Sequence, residues 1–333
     1  MDMAVFQQFC AEAKTLTVAQ IRQLGEVLQA MDARIDLLSR IDERRAAISE
    51  CPACKGTSLG RWGQTRTGLQ RLRCRGCHMT FSSASGTAVD RIRKPEKFHR
   101  VVADMFSTVP QSCRKLGEEL GLDKMTIWRW RHRIIQAMLG VGATDLSGIV
   151  EADEKFFRES RKGSREWVNH FRNPTAYPAP PRARWEDYRR MRARNNVAMR
   201  WLIPVLTVVD RSGGRRADVL PSRARQPLLD CLDEHIGQHA VLCSDGDPIY
   251  QAFASGRGIP HYALNTKTGP RLIANAFHIQ TINSLHDRFE RFMEPFRGPA
   301  TKNLPAYTAW FIARLVGGRG AAANAAWQRM LAP

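Results

Sequence analysis

Four cysteines constrain this chain more tightly than any other group of residues. They fall in two pairs, Cys51-Pro-Ala-Cys54 and Cys74-Arg-Gly-Cys77, with nineteen residues between the pairs. Each Cys-x-x-Cys turn aims both sulfurs at one point, and two such turns make a tetrahedral set of four thiolates for one zinc ion. The intervening Arg61, Trp62, Gln64, Arg66, Leu69, Arg71, Leu72 and Arg73 mix apolar and basic residues, as short half-exposed strands do. Residues 49–90 are therefore expected to form a zinc ribbon, in which the metal replaces a core too small to fold alone. Cys10, Cys113, Cys231 and Cys243 are scattered, which fits a reducing cytosol rather than a disulfide framework.

Charge narrows the partner. The chain has 333 residues, with 51 Lys or Arg against 32 Asp or Glu, a net charge of +19. A field of that sign draws polyanions, and nucleic acid is the expected partner. A membrane surface is the alternative, but no stretch is long and apolar enough to span a bilayer. The N-terminal residues Met1-Asp-Met-Ala-Val-Phe6 carry no secretory signal pattern, so the expected location is cytoplasmic, at the nucleoid.

Helical periodicity covers residues 1–48, where Leu24, Val27, Leu28, Met31, Ile35 and Leu38 recur between charges. This reads as a packing or dimerising arm, expected as one helix over residues 4–48. Residues 91–142 read as three helices: Lys97 to Thr108, Ser112 to Leu120, and a third through Met138 that Asp123 caps after the Gly121-Leu122 turn. Helix, glycine turn and basic helix make a helix-turn-helix, whose last helix enters the major groove. Lys124, Thr126, Trp128, Arg129, Arg131 and Arg133 form its expected DNA-reading side, with Ile127, Trp130, Ile134 and Met138 facing the core. A bundle with a solvated basic face is the competing reading.

Residues 143–320 read as an α/β domain. Strands are expected at 149–157, 202–210 and 216–220 as hairpin partners, then at 240–244 and 261–264 with helices between and after them, the last from about Ile273 to Met293. This is a mixed sheet. A basic, proline-rich insert at about 158–199 interrupts it, with Trp167, Trp185 and Tyr188 among arginines such as Arg182, Arg184, Arg189 and Arg194. Arginine interleaved with aromatics suits backbone contact plus base stacking; a solvated loop is the plainer alternative. Two aspartates stand at strand ends of this basic domain: Asp153 in Val150-Glu-Ala-Asp-Glu154 and Asp245 in Ser244-Asp-Gly246. Paired carboxylates suit a hard divalent cation, magnesium or manganese, and hence metal-assisted phosphoryl chemistry.

The ordered set (Cys-pair ribbon, helix-turn-helix, Val150-Glu-Ala-Asp-Glu154, Ser244-Asp-Gly246 and His278-Ile-Gln-Thr-Ile-Asn-Ser284) resembles the zinc-ribbon insertion-sequence transposases of the DDE superfamily. The resemblance covers roughly residues 50–315. It implies a ribonuclease H-like catalytic domain with one aspartate on the first strand, a second after the fourth, and a third residue on a later helix, together holding two magnesium ions. Carried over, these are Asp153, Asp245 and Asn283, with 37 residues between the last two. The implied activity is binding of terminal inverted repeats, DNA cleavage and strand transfer into a target, by a homo-oligomer that pairs two DNA ends. This chain departs from the pattern in two places. Asn283 is neutral where the family usually has Glu, and Glu290 stands where a basic residue is common. Asn283, His286 or Asp287, and Glu290 share one helical face, so Glu290 is a candidate displaced third carboxylate. Glu151 is expected on the Asp153 face of the strand as a partner of the metal site, Glu154 on the opposite face beside an arginine. His278 is a candidate contact to metal-bound water or phosphate. Three other readings share these residues: a DNA-binding regulator whose catalytic-like domain is a scaffold, an inactive transposase derivative, and a ribonuclease or resolvase on the same fold.

Overall fold

The computed structural model describes residues 2–179, 202–222, 224–264, 269, 271–315 and 319–332. Most of the basic insert, including Arg182, Trp185, Tyr188 and Arg194, lies outside the described residues, as does the side chain of Trp167. The chain forms two compact units, Met1–Ala137 with Arg319–Pro333, and Met138–Gly318. No helix among the described residues is long and apolar enough to cross a membrane.

The first unit begins with two helices rather than the single one expected, α1 (Met3–Ala13) and α2 (Val18–Glu43). The break has a local cause. Thr17 accepts from the Gln20 backbone N–H, and Gln20 accepts from the Thr17 N–H, a capping box that starts a new helix. Only Leu37 and Ile41 of α2 are buried, while Ile21, Leu28, Met31 and Ile35 are each more than half exposed. A three-stranded antiparallel sheet follows, ordered β1 (Leu59–Gln64), β2 (Gln70–Cys74), β3 (Thr80–Ser82).

Next come α3 (Pro95–Met105), α4 (Cys113–Leu120) and α5 (Lys124–Ala137). Pro95 opens α3 in the first turn, where its missing N–H costs nothing. Ser112 Oγ accepts from the Lys115 N–H to cap α4, and Asp123 Oδ1 accepts from the Met125 N–H to start α5. Gly121, with φ at 57°, makes the turn between them. Gly117 is required for a different reason: a Cβ there would sit 2.6 Å from the Leu122 carbonyl oxygen. The C-terminal helix Arg319–Leu331 belongs to this unit. Its Trp327 packs 6.1 Å from Phe98 and stacks 5.6 Å from His99, and the Ala88 N–H donates to the Met330 carbonyl.

The second unit is a five-stranded mixed sheet with helices on both faces. Its strands are β4 (Ile149–Arg158), β5 (Leu202–Asp210), β6 (Arg215–Val219), β7 (Val241–Ser244) and β8 (His261–Ala263). They lie in the order β6-β5-β4-β7-β8; β4, β5 and β6 pair antiparallel, and β7 and β8 continue parallel to β4. The helices are α6 (Glu166–Arg172), α7 (Arg225–His235), α8 (Pro248–Arg257), α9 (Gln280–Met293) and α10 (Leu304–Ala313). β5 is an almost unbroken apolar run buried on both sides, the pattern of a strand between two layers. Val150, Ala152, Leu206, Val208 and Leu242 meet Leu228 and Leu232 of α7 and Tyr250 and Phe253 of α8 in one continuous core. On the other face, Phe289 of α9 packs on Phe157 of β4 and stacks on Phe311 of α10.

The last helix of the expected set starts seven residues later than its apolar pattern suggested. Ala274 and Asn275 have φ near 50°, and Ile273 bridges Phe277, so residues 273–279 form a tight turn that delivers the chain to α9. Left-handed residues cannot continue a right-handed helix.

Candidate functional site

The register of β4 builds the site. Period-two alternation sends Glu151, Asp153, Lys155 and Phe157 to one face, and each meets α9. Glu151 Oε2 accepts from the Ile282 N–H at 2.9 Å. Asp153 Oδ2 lies 3.6 Å from His286 Nδ1. Lys155 Nζ lies 2.9 Å from Glu290 Oε2, and Phe157 packs on Phe289. Strand positions 151, 153, 155 and 157 thus meet helix positions 282, 286, 290 and 289 respectively. The opposite face carries Glu154, as the alternation requires, and it accepts from the Tyr250 hydroxyl at 2.8 Å. Tyr250 is fully buried in the core of α8, and Glu154 is the acceptor its hydroxyl reaches.

Asp245 reaches the same place by parallel pairing. Val150 pairs with Leu242 and Glu151 with Cys243, and the register carried two residues further sets Asp245 opposite Asp153. Asp245 is exposed at the open end of the sheet, its Oδ1 accepting from the Asp247 N–H. Gly246 follows with φ at 90°, a turn that L side chains resist, and Asp247 then caps α8 by accepting from the Ile249 N–H.

Electrostatics records how close the two carboxylates are. Burial, then the charge of Asp245, push the Asp153 carboxyl up to about 7; the Glu154 N–H, Glu154 charge and Lys155 make smaller contributions of both signs. The oxygen atoms of two neighbouring carboxylates are of the kind that suits a hard divalent ion. Asn283 is exposed on α9 one turn before His286 and two turns before Glu290. Glu290 is exposed and its carboxyl is held low by the hydrogen bond and charge of Lys155.

Glu151 and His278 form a second cluster. Glu151 is 1% exposed; its Oε1 sits 2.8 Å from Arg211 Nη1 and 3.5 Å from His278 Nδ1. Arg211 also donates to Thr281 Oγ1 and the Ala276 carbonyl, and His278 Nδ1 accepts from the Gln280 N–H. These contacts fasten the 273–279 turn and the start of α9 to β4. Glu151 therefore shares the Asp153 face, yet its carboxylate is spent on anchoring α9. His286 is the residue that the sequence reading placed on the right face without giving it a role. Its sign was the pairing of an i, i+3 step from Asn283 with a strand of matching register.

In the first unit, the four paired cysteines converge. All four sulfurs lie within 4.8 Å of one another, with Cys51 to Cys77 at 3.6 Å and Cys54 to Cys74 at 3.5 Å. Four thiolates around one zinc at about 2.3 Å stand about 3.8 Å apart, so the set fits that ion. The two turns share one backbone device: Lys55 and His78, each just after its second cysteine, have φ near 60°. The Cys77 N–H, opposed by burial and helped by the Gly76 N–H, lowers the Cys74 thiol to about 7. Cys77 goes the other way, to about 12: the Met79 N–H lowers it, but Cys54, burial and the other two cysteines raise it more. Four acidic sulfurs this close cannot all ionise without a cation between them.

The helix α5 divides the expected DNA-reading set. Lys124, Trp128 and Arg129 are exposed and Thr126 is half-buried, with Trp128 packed 3.9 Å from the His132 ring. Arg131 is a correction. It is buried, and its Nη2 lies 2.6 Å from the buried Asp104 carboxylate and donates to the Gln111 carbonyl. Its position falls within the arc of Ile127, Ile134 and Ile135, so the side chain enters the core and needs a buried counter-charge. Arg133 is half-buried and donates to the Asp90 carbonyl, which ties α5 to the preceding loop.

No protein-family model matches the sequence, and no curated protein matches it. Among solved structures, the chain is similar to one in the cryo-EM structure of a simian T-cell lymphotropic virus intasome bound to PP2A regulatory subunit B56 gamma. The identity is 13% over 63% of this chain and 67% of that one, with a TM-score of 0.28. It is also similar to a chain of a pre-cleavage Mos1 transpososome, at 14% identity over 66% of this chain and 73% of that one, with a TM-score of 0.22. Likenesses of this size carry no argument about the site, which rests on its own residues.

Proposed function

We propose that this chain is a DDE-type DNA transposase, a metal-dependent polynucleotidyl transferase that binds terminal inverted repeats and transfers DNA strands to a target. The observation that carries the reading is the approach of Asp153, in the middle of β4, to Asp245, which follows the end of the parallel β7, with Asp153 pushed up to about 7. In the resemblance, one aspartate belongs to the first strand of the catalytic sheet and the other follows the fourth; β4 and β7 are the first and fourth strands of this sheet. A divalent cation bound there, Mg²⁺ or Mn²⁺, supplies activation of a hydroxyl nucleophile and charge neutralisation for in-line displacement at phosphorus. Asp153 and Asp245 hold it, and Asn283 offers a neutral amide oxygen from α9 as the third site residue. We assign Glu290 to Lys155, which already binds its carboxylate.

The four cysteines hold structural zinc in this reading, and the exposed Lys124, Trp128 and Arg129, with Thr126 beside them, carry DNA contact on α5. Large single-sign charge supports a DNA partner, and it also supports transit through non-specific phosphate contacts. The exposed positions of α2 support a homo-oligomer. Ile21, Leu28 and Ile35 alternate with Leu24, Met31 and Leu38 every 3.5 residues, the repeat that a second helix of the same kind covers.

A specific observation favours a second reading. The neutral Asn283 and the lysine-bound Glu290 leave only two carboxylates for the cation, as suits a chain that binds DNA as a regulator without cutting it. The two readings separate on one assay. Purified chain with Mg²⁺ or Mn²⁺ and DNA carrying its own terminal repeats is expected to cleave and join the ends. Asp153→Ala and Asp245→Ala are expected to abolish joining while repeat binding survives. A variant that still joins DNA would sink the assignment of these aspartates, and a wild-type chain that binds but never joins would leave the regulator.

A further inference from the structure

The histidine that ends α7 is buried without a use for its ring. His235 is 1% exposed, and among the described residues neither its Nδ1 nor its Nε2 makes a hydrogen bond. Two ring nitrogens stripped of water and given nothing in return are costly to keep. Asp218 Oδ2 lies 3.1 Å from Nε2, close enough for a hydrogen bond but outside its angular range. Glu234 Oε2 stands 3.9 Å from the same nitrogen, too far to bond.

Strand and helix bring three different donors to this spot. Asp218 pairs with Leu206, which shares a core with Leu228 and Leu232 of α7, so the carboxylate is turned to the α7 face of the sheet. Leu206 also pairs with Glu154, so this is the face opposite Asp153. Cys231 and His235, four residues apart on α7, share one side of that helix. The carboxylate oxygen, sulfur and ring nitrogen of the three all lie within 4.8 Å of one another. Arg216 fixes the carboxylate in place, with Nε 2.6 Å from Oδ2 and Nη2 2.9 Å from Oδ1. Each carboxylate oxygen has two lone pairs, so Oδ2 keeps one for another partner.

Sulfur, imidazole nitrogen and carboxylate oxygen together suit a first-row transition cation such as zinc, whereas magnesium favours oxygen alone. Legs of about 2.1 Å at a tetrahedral angle set nitrogen and oxygen about 3.4 Å apart, and the observed 3.1 Å is close to that. A trapped water answers less well, because a thiol is a weak hydrogen-bonding partner. We propose that Asp218, Cys231 and His235 hold a Zn²⁺-class cation that clasps β6 to α7, with water in the fourth position. Cys231 enters as the thiolate and its proton passes to solvent. β6 is an edge strand, paired only with β5, and the ion ties it to the helix layer. This site stands apart from the reading of Asp153 and Asp245.

The test adds Co²⁺ to the full chain with its four-cysteine cluster loaded with zinc, the zinc being counted by elemental analysis before and after. The expected result is uptake of cobalt with tetrahedral visible absorption and a thiolate-to-cobalt charge-transfer band, at unchanged zinc. Cys231→Ala should abolish that band; Cys231 is only half-buried, so circular dichroism should show the fold intact. His235→Gln should lower cobalt affinity by more than the roughly 10- to 100-fold that an outer-shell partner costs. No uptake at constant zinc, or a sulfur band that survives Cys231→Ala, would overturn the site. Cobalt held by Asp153 and Asp245 alone has no sulfur ligand, so uptake without the band would also overturn this site while leaving the aspartates untouched.

Discussion

The raised pKa of Asp153 makes the stability of the second unit depend on pH in a direction that few carboxylates give. In the unfolded chain this acid titrates near 3.8; in the fold it titrates at about 7. Below pH 3.8 both states are protonated and the group contributes nothing. Between 3.8 and 7 the native state binds the proton and the unfolded state does not, so stability falls as pH rises. At about 1.4 kcal/mol per pH unit the loss reaches about 4 kcal/mol by neutral pH and is flat above it. That is a large fraction of the roughly 5–15 kcal/mol that holds an ordinary domain together. Asp153→Asn keeps the shape and stays neutral, so it is expected to match the wild type at pH 4 and exceed it by up to about 4 kcal/mol at pH 8. Urea unfolding read by hydrogen exchange of the β4 and β5 amides measures this unit by itself. Added Mn²⁺ should oppose the fall, because a cation competes with the proton for the same oxygen atoms. A wild-type profile without the decline, or a decline that persists in Asp153→Asn, would refute the placement of Asp153 as a buried acid beside a like charge.

Three further outcomes follow from the first unit. Cys74→Ser should lower the zinc content of the purified chain by elemental analysis and melt the ribbon, since the metal stands in for its core; unchanged zinc would remove the four-sulfur site. Asp104→Ala leaves the Arg131 guanidinium buried without its partner and should cost about 3–5 kcal/mol, whereas Arg131→Met with Asp104→Leu should recover most of that stability and keep DNA affinity. Arg129→Ala, by contrast, should weaken repeat binding with no change in unfolding, and the reverse pattern for these two arginines would undo the division of α5.

Some of this was legible along the chain. The cysteine pairs, with their spacing, announced the four-sulfur cluster because a metal's ligand geometry is local. Asp153 and Asp245 stood out because carboxylates at strand ends in so basic a chain require a reason. Strand alternation correctly sent Glu151 and Asp153 one way and Glu154 the other, since a period of two is a property of the backbone. The misreadings lie where a residue's partner comes from elsewhere. Arg131 looks like any arginine on a basic helix until the buried Asp104 is found opposite it, twenty-seven positions earlier. The break before α2 was written locally, in the Thr17 and Gln20 pair, and was missed beneath the stronger apolar period.

The sequence by itself determined which chemistry was available: four thiols in two turns, two carboxylates at strand ends, and a surplus of positive charge. Those are matters of residue type and short spacing, which covalent geometry carries unaided. Only the tertiary structure decided how the side chains are spent. It gave Glu151 to Arg211 and the start of α9, Glu154 to Tyr250, and Glu290 to Lys155, and it set His286 Nδ1 3.6 Å from Asp153. A buried polar atom takes whichever partner the packing of β4 against α9 and α8 brings within reach. That choice depends on the register between segments from 96 to 135 residues apart, which no local pattern contains.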